Sequence, residues 1–345
     1  MGSVEVGSDV PDLHYGGGKG SEKHRDRCPT TVGICYGRVA DNLPSPPEVV
    51  SLLRSRGVTD VKIYDAAGDI LRAFENSGII LSVAVPNEEV AGIADSQVMA
   101  NSWVEKNIRP YPQTKIGSLG VGNEFLSDGR NDASKLVPAM NNIQQALESA
   151  GLNHIKVSTP LAFQLSVSYP PSAGQFADKD LSVVSGILDF VRRKNSVFMM
   201  NIYPFFAYRF DSVNIDINYA LFNPNAPTIN DSGRAYRNLF DAQVDSVYAA
   251  MSRLGYANTP LMITETGWAS DGGGVGASLL NAKTYNNNLV QHVLRNGTPV
   301  RPNVKIQTFI FALFNENQKQ GYPIEKNFGL YYPDKRPVYD IRLQA

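Results

Sequence analysis

The chain has 345 residues, 43% of them hydrophobic, and a formal net charge of −1. So even a balance argues against the basic surface that phosphate backbones demand, and with it against nucleic acid as the partner. No apolar run reaches 18 residues, so no transmembrane helix is expected, and the length suits one large barrel or two smaller domains.

Residues 1–31 read as a disordered tail. They are polar, Gly-rich and charged, and they lack the apolar core of about 7–15 residues that a secretory signal carries. Met1-Gly2 would suit myristoylation, but position 6 is Val rather than Ser or Thr. The two cysteines are Cys28 and Cys35. Cys35 lies in the apolar run Val32-Gly33-Ile34-Cys35-Tyr36 and reads as a buried thiol rather than half of a disulfide. Two glycosylation sequons, at Asn230 and Asn296, matter only in a secreted chain.

From Val32 onward, short apolar strands alternate with longer amphipathic stretches. Strands are predicted near 32–36, 59–64, 79–85, 115–122, 155–159, 197–203, 260–265 and 305–314. Their Val, Ile, Leu and Phe content suits strands buried on both faces. Pro46 and Pro47 open a helix that Gly57 stops. Ala133–Ala150 and Leu239–Leu254 show apolar side chains at helical spacing, ended by Gly151 and Gly255. Repeated strand-then-helix units predict a single-domain (β/α)8 TIM barrel over 32–345. An open doubly wound sheet is the alternative. The barrel is preferred because no dinucleotide fingerprint is present and polar residues fall at strand ends. Residues 204–235 read as one long aromatic-rich loop, of the kind that stacks on sugar rings or forms a satellite core.

Two strand ends carry acids in matching contexts. Glu124 closes Gly120-Val121-Gly122-Asn123-Glu124, and Glu265 closes Met262-Ile263-Thr264-Glu265, followed by Thr266-Gly267-Trp268. Strands four and seven of an eight-stranded barrel are nearly opposite across the mouth. Two carboxyls so placed suit retaining glycoside cleavage, in which one attacks the anomeric carbon and the other first protonates the departing oxygen and then activates water. That reaction needs them about 5–5.5 Å apart. Asn123 and Trp268 flank the acids as sugar-binding types. Glu316 and Lys319, after strand eight, either pair with each other or bind hydroxyls, with Glu325 a little further on. Tyr64 ends strand two; Asn201 and Tyr203 end strand six.

These residues resemble plant β-1,3-glucanases, glycoside hydrolase family 17. The likeness runs through Val32-Gly33-Ile34-Cys35-Tyr36-Gly37, Val61-Lys62-Ile63-Tyr64, Val121-Gly122-Asn123-Glu124 and Asn201-Ile202-Tyr203-Pro204-Phe205-Phe206-Ala207-Tyr208. It continues through Thr264-Glu265-Thr266-Gly267-Trp268, Phe311-Ala312-Leu313-Phe314-Asn315-Glu316-Asn317 and Asn327-Phe328-Gly329-Leu330-Tyr331, spanning roughly 32–343. The resemblance implies a retaining (β/α)8 endo-hydrolase of β-1,3-glucan, with Glu124 as acid/base and Glu265 as nucleophile. It implies a groove lined by Tyr64, Asn123, Asn201, Tyr203, Trp268, Phe314, Glu316, Lys319 and Glu325; Phe205, after strand six, is a further groove candidate. It implies no cofactor, a polysaccharide partner, a monomer, and an extracellular or cell-wall setting in remodelling or defence. Two positions depart from the pattern. Thr266 stands where the family often has Ser, and Asp65 where some defence-type members carry an aromatic; the second bears on substrate preference.

Three other readings compete. A non-catalytic glucan-binding protein would have lost the acids, and both are present. A metal-dependent hydrolase would pair His with carboxylates at strand ends, but His14, His24, His154 and His292 are scattered. A mixed-linkage 1,3-1,4-glucanase or a transglycosylase would use the same pair.

Overall fold

The computed structural model describes residues 31–163 and 170–344. The expectations for residues 1–30, Cys28 among them, lie outside the described residues. The predicted tail extends one residue too far: Thr31 is buried, hydrogen-bonds Thr59 through its hydroxyl at 2.7 Å and bridges to Gln344.

In chain order the first half runs β1 (Gly33–Cys35), α1 (Pro46–Ser55), β2 (Asp60–Lys62), α2 (Gly68–Ala73), β3 (Ile80–Val85), α3 (Asn87–Asp95), α4 (Gln97–Asn107), β4 (Lys115–Val121), α5 (Leu136–Ser149), β5 (Lys156–Ser158) and β6 (Pro160–Ala162). The second half runs α6 (Leu181–Arg193), β7 (Phe198–Asn201), α7 (Pro204–Phe210), α8 (Ile217–Ala220), β8 (Ile229–Asp231), β9 (Arg234–Tyr236), α9 (Leu239–Arg253), β10 (Leu261–Thr266), α10 (Leu279–Arg295) and β11 (Thr308–Phe311).

Nine strands form one parallel sheet in the order β5-β4-β3-β2-β1-β11-β10-β7-β6. Its two ends, β5 and β6, are separated in the chain by Thr159 alone. The fifth predicted strand is therefore split: its first half pairs with β4 and its second with β7. That split nearly closes the sheet into the expected (β/α)8 barrel. The strands hold because Val61, Leu81, Val83, Leu119, Val157, Met200, Ile263 and Ile310 are almost fully buried between the ring and its helices.

Local chemistry sets the helix ends. The Glu48 carboxylate accepts from both the backbone N–H and the hydroxyl of Ser45, fixing the start of α1. Asn238 and Ser278 accept from the first turns of α9 and α10. The glycines read as stops, Gly57, Gly151 and Gly255, all take positive φ. The stretch 204–235, read from sequence as one loop, instead contains α7, α8 and the antiparallel β8–β9 hairpin. Pro204 supplies the first position of α7, where a missing N–H costs nothing.

Candidate active site

The C-terminal ends of the barrel strands open on a cleft of about 950 Å³. Glu265, at the end of β10, lies at its floor and is only 6% exposed. Its Oε1 accepts from Lys62 Nζ at 2.7 Å and from the Tyr64 hydroxyl at 2.8 Å; its Oε2 accepts from the Tyr203 hydroxyl at 2.8 Å. Burial alone would raise the carboxyl pKa. The Lys62 charge and the three donated hydrogen bonds outweigh it, so Glu265 stays below its ordinary value and is held as an anion.

Glu124 follows β4 in a different setting. Its Oε1 accepts from Asn201 Nδ2 at 2.9 Å, and Asn201 is steadied in turn by the Thr264 hydroxyl at 2.6 Å. Burial, reinforced by the negative charge of Glu265, raises the Glu124 pKa. The two acids thus share one cleft while their surroundings push them in opposite directions. The backbone that presents Glu124 is unusual. Gly122 sits at φ 69°, and Glu124 itself takes the left-handed conformation at φ 50°, ψ 34°. Asn87 clamps this turn from both sides, accepting from Asn123 N–H at 2.8 Å and donating to Asn123 C=O at 3.0 Å. The Glu124 N–H bonds to Pro160 C=O on the neighbouring strand.

The family model for glycosyl hydrolases family 17 matches residues 32–343. The chain belongs to that family. It is 42% identical to glucan endo-1,3-beta-glucosidase 13 of Arabidopsis thaliana over 90% of this chain and 63% of that protein, so it spans less than two thirds of that relative's length. It is 43% identical to glucan endo-1,3-beta-glucosidase GII of Hordeum vulgare over 90% of this chain and 92% of that protein. Among solved structures, the beta-1,3-glucanase and allergen CJP38 of Cryptomeria japonica pollen superposes with a TM-score of 0.88 at 47% identity, over 91% of this chain and 99% of that one.

Within this family 17 cleft, Tyr64, Asn123, Asn201, Tyr203, Glu316, Lys319 and Glu325 all line the walls beside the two acids. Glu316 Oε1 accepts from Val39 N–H at 2.8 Å, and its Oε2 lies 3.9 Å from Lys319 Nζ. Burial raises the carboxyl pKa of both Glu316 and Glu325, with Lys319 opposing the shift in each. The Lys319 ammonium also sits 4.6 Å over the Phe311 ring.

Three aromatics expected in the groove are placed behind it instead. Phe205 and Trp268 are fully buried and Phe314 nearly so, at 1% exposure. The Trp268 indole donates to Gly276 C=O at 2.9 Å and packs against Phe205 and Tyr285. Phe314 packs edge-on against Tyr36. Their rings brace the wall from within, where apolar burial outweighs access to sugar. Phe206, Phe210, Phe311 and Phe328 provide the cleft's apolar faces in their stead.

Sequence reasoning passed over Lys62. It is 2% exposed and joins Glu265 to Asn123, whose Oδ1 it reaches at 2.8 Å. The signal was its position: a lysine two residues before Tyr64, in an otherwise apolar run, shares the face of that tyrosine. Arg38 and Asp65, ion-paired at the cleft edge, were also missed as a pair. Cys35 is a free buried thiol that donates to Thr264 C=O at 3.3 Å, and burial raises its pKa. Among the described residues no group of three or more His, Cys, Asp or Glu is placed to hold a metal ion.

Proposed function

We propose that this chain hydrolyses internal β-1,3-glucosidic bonds of β-1,3-glucan by double displacement, with residues 32–345 as one catalytic unit. Glu265 attacks the anomeric carbon. Glu124 protonates the departing oxygen and then draws the proton from water. The observation that carries the reading is the opposed tuning of the pair. A nucleophile must be ionised, and Glu265 is kept so by Lys62, Tyr64 and Tyr203. A proton donor must hold its proton more firmly than a free carboxyl, and burial beside that anion shifts Glu124 in that direction. Residues from many strand ends line the cleft, which suits a run of sugars rather than one terminal unit. The family relatives named as glucan endo-1,3-beta-glucosidases support the linkage. Family resemblance supports an extracellular or cell-wall setting, where the exposed sequon asparagines, Asn230 on the β8–β9 hairpin and Asn296 after α10, would be accessible to glycosylation.

Proton NMR of the first laminarin products tests the mechanism: the β-anomer is expected before mutarotation, with a ladder of short oligosaccharides rather than glucose alone. An α-anomer first would mean inversion and a different role for Glu265. Parallel digestion of a mixed-linkage 1,3-1,4-glucan separates this reading from its closest alternative, because laminarin is expected to be the faster substrate.

Lys62→Met leaves the Glu265 carboxylate buried without its cation. Breaking a buried pair in this way costs roughly 3–5 kcal/mol of stability. The Glu265 pKa then rises, because burial is no longer opposed by the ammonium. Since the nucleophile must be ionised, the acid limb of the pH–rate profile is expected to move to higher pH. An acid limb that stays put in the folded variant would count against Lys62 as the group that keeps Glu265 charged.

A further inference from the structure

Gln243 sits on α9, outside the strands that carry the two acids. Its side chain lines the cleft, yet the residue is only 6% exposed. Among the described residues its Oε1 has no hydrogen-bond partner. Of the other buried polar side chains of this helix, each holds a partner within the fold through at least one atom; the second oxygen of Asp245 is unpaired too, but Asp245 does not line the cleft. Asp241 meets His292 at 2.8 Å, Asp245 accepts from Val300 N–H at 2.9 Å, and the Ser246 hydroxyl donates to Ala242 C=O at 2.8 Å. An unpaired buried amide lowers stability, and methionine would fill the same space without that cost. A group kept against such a cost, at the edge of a substrate cleft, points to use by the substrate.

We propose that Gln243 is a specificity-determining contact, whose amide hydrogen-bonds a hydroxyl of the sugar on the leaving-group side of the scissile bond. This rests on the hydrolase reading above. The side follows from the ring order. Helix α9 lies in the chain between β7 and β10, and the cleft residues on the strands just before it include Phe163, just after β6, and Asn201, at the end of β7. This arc holds the proton donor: Asn201 donates to Glu124, whose N–H is fixed by Pro160 of β6. Arg38 and Asp65 follow β1 and β2 on the opposite arc. The departing sugar takes the Glu124 proton, so it lies on the Glu124 and Gln243 side. The terminal torsion of glutamine is broad and roughly two-fold, so the amide can turn either N–H or C=O to a hydroxyl, which accepts from the one and donates to the other. A buried polar group that is paired only by the correct sugar discriminates strongly against a leaving group lacking that hydroxyl.

The test compares Gln243→Met with wild type on two substrates sharing one glycone: a β-1,3-gluco-oligosaccharide, and its aryl glycoside, in which a nitrophenyl group replaces the leaving-group sugars. The ratio of kcat/KM, oligosaccharide over aryl glycoside, is expected to fall about tenfold, while the melting temperature holds or rises. Gln243→Asn, which draws the amide back by one methylene, is expected to lower the ratio too, and it decides the matter if the Met variant does not fold. An unchanged ratio in a folded variant overturns the proposal, and a lower melting temperature beside it would assign Gln243 to the fold instead. Wild type that cleaves neither substrate removes the hydrolase reading and this proposal together; wild type that cleaves both, with an unchanged ratio in the variants, removes this proposal alone.

Discussion

Glu265→Gln is expected to lower kcat on laminarin by roughly a thousandfold or more, while oligosaccharide still binds. The amide is nearly isosteric, so the cleft keeps its shape, and its carbonyl still accepts from the Tyr64 hydroxyl that now contacts Oε1. What disappears is the negative oxygen that must form the bond to the anomeric carbon. Without it no glycosyl-enzyme forms, and burial raises the pKa of Glu124, Glu316 and Glu325, opposite to the shift that favours the Glu265 anion. Steady-state rates and calorimetric titration with a laminari-oligosaccharide check both halves. Near-normal hydrolysis by the purified variant would remove Glu265 from the mechanism.

Glu124→Ala is expected to cost about 10²–10⁴-fold on laminarin, the usual worth of a positioned general acid. On a glycoside with a good aryl leaving group the loss in glycosylation is far smaller, because that oxygen departs without a proton. The pH profile separates the roles further. Glu124 must be protonated for the first step, so wild-type activity falls as pH rises through its raised pKa. In the variant, with the aryl substrate, that basic limb is expected to vanish while the acid limb set by Glu265 remains. The two acids interact, so the limbs of the wild-type profile belong to the pair rather than to either residue alone. A variant that loses the same factor on both substrates would contradict the acid/base role.

The barrel was legible because its strands are buried on both faces and so spell short apolar runs, as in Ile80–Val85 and Phe198–Asn201. The break at Thr159 was not, because a strand that changes neighbours keeps the same apolar content on either side. Both acids stood out as charges closing such runs. The aromatics misled where residue type was taken for direction: Trp268 and Phe205 follow strand ends, but their rings turn into the wall and meet edge to face. Tyr64 and Tyr203 face the cleft because each hydroxyl has a carboxylate to reach. Lys62 was obscured because one lysine in a short strand looks like that strand's exit, and only the position of Glu265 across the barrel reveals its partner.

Glu124 occupies a backbone conformation that costs a residue with a Cβ about 1–2 kcal/mol relative to right-handed geometry. Glycine adopts it without that penalty, and asparagine with less. Directed evolution scored only by survival of heat would therefore drift away from glutamate at this position. In lineages where the fold is retained but turnover is no longer selected, the proton donor is among the first groups that stability alone would replace. A relative with Gly or Asn here and an intact Glu265 would mark a barrel that has traded hydrolysis for mere binding.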